Sequence, residues 1–314
     1  MKKLFATFVI FFTLCSMAFT DNIVAKEYFQ IENLENINID LTFENIEIKT
    51  ITGSEILVEI SSNYSKIIPE VSTSNNSFSI KSKKKNLSSF GNFCTVYVYI
   101  PSTFFPKNTN IFTTSGNIYL EDLETDDLVI STKSGNSKVV LSKINNKINI
   151  SSHSGKTSID TTTSTIFTTL SLSGNIEIEN LSAQEIICQS SNGKIEAAKL
   201  ACEYLNLQSS SGTIEANNTK CEYFDLDSKS GSVKLQLENQ IEAESSIKTT
   251  SGKINLIVPE DMNFQITANS SSGTFYDKIT NNTYKPKHNF NLKFNELGIE
   301  IFLDTTSGSI ILEN

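Results

Sequence analysis

The sequence predicts an all-β fold: a single-stranded β-helix, or solenoid, with about 19–21 residues per coil. Three observations predict it: a glycine period, two alternating apolar phases locked to that period, and an apolar corner site. Ten of the 13 glycines follow Ser or Asn: Gly116, Gly135, Gly155, Gly174, Gly193, Gly212, Gly231, Gly252, Gly273 and Gly308. Their spacings run 19, 20, 19, 19, 19, 19, 21, 21 and 35. A period of this length is the mark of stacked repeats.

Two and four places after the glycine stand pairs such as Ile118/Leu120, Ile176/Ile178, Ile195/Ala197, Val233/Leu235 and Ile254/Leu256. Period-2 alternation of this kind is a strand with one buried face. Seven places before the glycine stand Leu128, Ile148, Phe167, Ile186, Leu205 and Phe224. Five places before stand Ile130, Ile150, Cys188, Leu207 and Leu226, which gives a second strand. Leu123, Leu181 and Leu200, seven places after, mark a corner. Two rungs are weaker, with Ser137 and Thr157 where Ile is usual.

One strand–turn–strand–corner unit cannot bury its apolar face alone, but stacked units can. Each buried Ile or Leu stabilises by roughly 1.5–3 kcal/mol. Coils spaced about 4.8 Å apart make the stretch from Gly116 to Gly273 roughly 38 Å tall, with Gly273 one step beyond Gly252. Parallel crossovers are overwhelmingly right-handed, and so is the solenoid expected here. At the Ser-Gly turns, glycine is expected to supply φ > 0. The competing reading is a phosphate cradle. That needs several glycines in one loop before a helix, whereas these occur singly at each turn.

The chain divides by this pattern into residues 1–20, a signal; 21–110, an N-terminal capping β region without the period; 111–276, the Ser-Gly ladder; and 277–314, an excursion followed by closing strands. Lys2 and Lys3, the apolar run Leu4 to Leu14, and the small residues Ser16 and Ala18 read as a secretory signal cleaved after Ala18 or Thr20. Cys15 raises the alternative of a lipid anchor. Leu14 stands before it where a lipoprotein signal has a small residue, so soluble export is favoured. No later apolar stretch is long enough to span a bilayer. The periplasm, cell surface or extracellular space is the expected location.

The formal net charge is −9, and there is no Arg. An acidic chain of this kind is a poor nucleic-acid binder. The one basic cluster, Lys81, Lys83, Lys84 and Lys85, reads as a solvated hairpin tip.

An N-terminal β region containing Phe29-Gln30-Ile31, Ile51-Thr52-Gly53-Ser54-Glu55-Ile56-Leu57-Val58 and Val96-Tyr97-Val98-Tyr99-Ile100-Pro101 precedes Thr114-Ser115-Gly116-Asn117-Ile118 and its successors. This arrangement resembles the bacterial "putative adhesin" domains of unknown function over about residues 26–314. The resemblance implies a β-helix and surface exposure. It supplies no catalytic residue, cofactor or ligand.

No catalytic, cofactor-binding or metal-binding residue is expected. Cys202 and Cys221, 19 apart, should stack on adjacent coils; parallel ladder side chains suit a disulfide poorly, and a reduced pair is favoured over one. A zinc site lacks His in phase and any CxxC. His153 and His288 have no matching nucleophile and acid, and the serines recur at every turn. Glu177, Glu179, Glu196 and Glu215 form an outward acidic column. Paired acids could make a carbohydrate-active enzyme, but a solvated face is the simpler reading. The expected function is an exported, non-catalytic binding or structural module whose partner is a glycan, an envelope protein or a host surface. A carbohydrate-active β-helix enzyme and a periplasmic envelope-stress accessory or sensor are the alternatives.

Overall fold

Alternating β-branched and polar residues make strands wherever they can stack on a like neighbour. The computed structural model describes residues 23–63, 67–83, 93–285, 290–294 and 298–314, and contains no α-helix among them. The strands before each turn form one sheet and those after it form another. Each Ser-Gly coil therefore contributes one strand to either side of a common core. Pairing is parallel and in register: Ile176, Ile195, Ile214, Val233 and Ile254 follow one another up the second sheet. Leu128, Ile148, Phe167, Ile186, Leu205 and Phe224 do so up the first. All are buried.

The glycines play a different part from the one expected. None of the column glycines has φ in the left-handed region. A Cβ on Gly212 would lie 2.0 Å from the carbonyl oxygen of Gly193, and the same clash recurs from Gly116 to Gly308. Glycine is required because successive turns touch backbone to backbone. A buried Ser or Thr three places earlier secures each turn: the Gly212 N–H donates to Ser209 Oγ at 2.8 Å, and that of Gly252 to Thr249 Oγ1 at 3.0 Å. The serine adjoining the glycine is exposed in most coils, as at Ser115, Ser134 and Ser173.

The left-handed residues lie instead six places after the glycine, at Asp122, Leu141, Thr161, Asn180, Lys199 and Asn218, with φ between 45° and 59°. Asn and Asp tolerate this conformation; Leu and Thr do not. Leu141 is also 53% exposed. Leu141→Asn should therefore stabilise the protein by about 0.5–1 kcal/mol, read as a rise in Tm. The weak rungs are real: Ser137 and Thr157 are buried, adjacent in register, and their hydroxyls lack hydrogen-bond partners.

Both ends of the stack depart from sequence order. Strands Asn36–Leu41 and Asn45–Ile51 form a coil directly beneath that of Gly116, 72 residues away. Glu44 stands at the glycine level there: its carbonyl is what a Cβ on Gly116 would strike. Its buried carboxylate accepts from Thr42 N–H, Phe43 N–H and the Ser82 hydroxyl at 2.8–3.0 Å. One level further out, Ser77–Lys81 and Cys94–Pro101 complete an outer coil. Antiparallel strands Glu70–Ser74, Glu55–Ser62 and Ile23–Gln30 cover it.

At the other end the coil above Gly252 is not that of Gly273 but that of Gly308. The Gly273 coil lies beyond it. The chain skips a level, folds antiparallel strands Asn282–Tyr284 and Phe290–Phe294 onto the outer coil, and returns to fill the gap. An open ladder edge needs covering. The segment that follows the outer coil is the one placed to turn back as that cover, which leaves the last segment for the interior slot.

Candidate functional site

The two outer faces of the regular stack that flank the Ser-Gly turns differ in chemistry, and a third side carries the stacked Tyr204 and Tyr223 rings. On the second sheet, the coils of Gly155 to Gly212 point Ser158, Asp160, Glu177, Glu179, Glu196, Ala198, Glu215 and Asn217 outward. The acidic column is thus assembled as its spacing implied, and Glu196 and Glu215 are neighbours in register. Lysines neutralise it. Lys156 Nζ lies 2.5 Å from Glu177, Lys194 lies 2.5 Å from Glu196 and 3.6 Å from Glu215, and Lys234 lies 3.2 Å from Glu215. Lys199 pairs with Glu179 at 3.1 Å. The hydrogen bond from Asn217, and then that from Lys234, hold the Glu215 carboxyl below the usual carboxylate range. A glycosidase needs one acid shifted the other way, to keep its proton at neutral pH.

On the first sheet the same four coils place Asn149, Ser151, His153, Thr168, Leu170, Leu172, Ile187, Gln189, Ser191, Asn206, Gln208 and Ser210 on the outer side, with Asn206 buried and donating to the Tyr204 hydroxyl at 2.8 Å. None is Asp, Glu or Lys. A groove of about 590 Å³ runs along this strip beside the Ser-Gly turns. Leu170 and Leu172 lie in it 45% and 42% exposed. Gln189 Nε2 donates to Gln208 Oε1 at 3.4 Å, and Ser151 Oγ to Ser131 Oγ at 3.0 Å. Asp227 and Lys229 close one end of the groove. Burial, and then Asp225, push the Asp227 carboxyl up.

The other sequence candidates separate from these faces. Cys202 and Cys221 are neighbours in register, as their spacing implied, and both are free thiols. Burial pushes the Cys221 thiol up to about 12, and burial followed by the proximity of Cys221 raises that of Cys202 as well. A protonated thiol is a poor nucleophile. Among the described residues no group of His, Cys, Asp and Glu could hold a metal ion. His153 lines the groove between Lys133 and Leu172 on the turn column, with no acid beside it in that column. His288, Lys84, Lys85, Cys15 and the signal lie outside the described residues, while Lys81 and Lys83 are exposed. Among the described residues no helix is long and apolar enough to cross a membrane.

The uncharged strip carries no motif: its positions, six, four and two places before the glycine, share only the lack of Asp, Glu and Lys.

The Toastrack DUF4097 family profile matches the chain twice, over residues 34–165 and 138–313. The ladder runs unbroken through the overlap, where Lys143–Ser152 pairs in parallel with strands on both sides. No curated protein matches the chain. Among solved structures, a "putative cell adhesion protein" from Clostridium sporogenes is 13% identical, with 92% of this chain and 98% of that one covered and a TM-score of 0.25. A "putative adhesin" from Bacteroides fragilis is 12% identical, with 92% and 96% covered and a TM-score of 0.37. A "putative lipid binding protein" from Parabacteroides distasonis is 11% identical, with 92% and 96% covered and a TM-score of 0.42. At these identities and TM-scores the likenesses carry no functional argument.

Proposed function

The chain belongs to the Toastrack DUF4097 family, and we propose that it is an exported, non-catalytic β-solenoid serving as an adhesin-like binding module of the cell surface or envelope. The observation that carries this reading is the pairing of the outward acids. Glu177, Glu179, Glu196 and Glu215 are paired with Lys156, Lys199, Lys194 and Lys234. Asn217, and then Lys234, hold the Glu215 carboxyl below the usual carboxylate range, the opposite of what protonating a leaving group needs. The structure also holds a repetitive surface with a groove beside the Ser-Gly turns, which suits recognition of an extended partner. In this reading residues 1–20 direct export, the Ser-Gly coils form the presenting ladder, and the coils are right-handed as parallel crossovers are.

The test is binding of the purified mature chain, residues 21–314, to glycan arrays and to whole cells. Saturable binding is expected. Absence of binding to every array and cell surface contradicts the reading.

A further inference from the structure

We propose that the uncharged strip of the first sheet is the binding site, and that its ligand is an uncharged, hydroxyl-rich glycan lying along the solenoid axis. This rests on the binding-module reading above and names its face and ligand class. Charge segregation carries it first. The chain holds 26 basic and 35 acidic residues. Yet the twelve outer-side positions six, four and two places before Gly155, Gly174, Gly193 and Gly212, eleven of them at the surface and Asn206 buried, include no Asp, Glu or Lys. In the same coils the other sheet turns five acids outward among eight positions. Neither an anionic nor a cationic polymer finds a countercharge among these twelve positions.

Chemistry carries it second. Gln189, Gln208 and Ser151 offer neutral donors and acceptors at the surface, while Leu170 and Leu172 expose apolar area between them. Hydroxyl groups pair with amides and hydroxyls, and the C–H faces of sugar rings cover leucine. A concave site of a few convergent polar groups on apolar ground is the usual form of a small-ligand site. Geometry carries it third. The strip repeats once per coil, about every 4.8 Å, so a polymer laid along the axis meets similar groups at each step. Each further unit engaged adds to the last. Lys133 bounds the strip at one end, and Asp227 with Lys229 at the other.

The test titrates the mature chain with neutral oligosaccharides of glucose, mannose and N-acetylglucosamine of rising length, and with polygalacturonate and chitosan as anionic and cationic polymers. Each titration is run at low and at high salt. Affinity for a neutral series should rise with length until about four coils, roughly 15–20 Å, are spanned. It should change less than about twofold with salt, since no counterions are released. Leu170→Asp should cost about tenfold or more by placing a charge against the ligand, with an unchanged melting temperature. Glu196→Gln should leave binding unchanged. Binding confined to a charged polymer, steeply salt-dependent and altered by Glu196→Gln but not by Leu170→Asp, overturns this inference and leaves the binding-module reading intact. No binding to any polymer or cell surface overturns both.

Discussion

Replacing Gly212 by alanine should destabilise the protein by about 3–5 kcal/mol, among the largest effects of any single added methyl group. The new Cβ would lie 2.0 Å from Gly193 O and 2.6 Å from Gly193 C. Both are backbone atoms held by the coil below, so no flexible side chain can yield. Relief requires the turns to part, which breaks the bond from Ser211 N–H to Ser191 O and shifts the buried Ile195–Ile214 contact. Valine at the same position should be worse. Because the glycine's φ is ordinary, the effect separates close approach from turn strain: Asn, which tolerates left-handed geometry, should not rescue position 212. A denaturant melt of Gly212→Ala that overlays the wild type contradicts this account of the column.

The second large effect concerns the end of the chain. Removing residues 299–314 should abolish soluble, folded protein. That segment is not a frayed tail. It fills the level between the Gly252 and Gly273 coils and buries Ile301, Leu303, Ile310 and Leu312. At roughly 1.5–3 kcal/mol each, those four side chains are worth about as much as a typical domain's whole stability. Their loss also leaves two parallel edges facing an empty level. The milder Leu303→Ala should cost about 2–5 kcal/mol, measurable in a chain that still folds. A truncated protein with a native melt would show that the last coil lies outside the stack.

The coil interior was legible in the sequence because it obeys a period. Ile195, Ile214 and Val233 share a phase with their glycines, and phase is what stacking needs. The coil of residues 36–51 was not legible, since Glu44 replaces the glycine and a 72-residue detour hides the register. Glu44 can stand there because its carboxylate takes up the Thr42 and Phe43 N–H groups and the Ser82 hydroxyl. The place of the Gly308 coil was hidden for a different reason. Spacing along a chain gives the order of coils only when each stacks on its predecessor, and at Gly252 the next coil skips a level. The acidic column was visible from its spacing, but the lysines that pair with it were not. Lys194 and Lys234 reach Glu215 from different coils. The uncharged strip was present in the residues all along, as an absence spread over four coils.

The most direct test of the central claim, a ladder that binds without reacting, is product analysis on a bound glycan. The mature chain is incubated at high concentration with the tightest-binding oligosaccharide, and the oligosaccharide's length distribution is followed by chromatography and mass spectrometry. The account predicts saturable retention of an unshortened oligosaccharide. Shorter fragments that appear with wild type and vanish with Glu196→Gln or Glu215→Gln would contradict it and return the function to the acidic face.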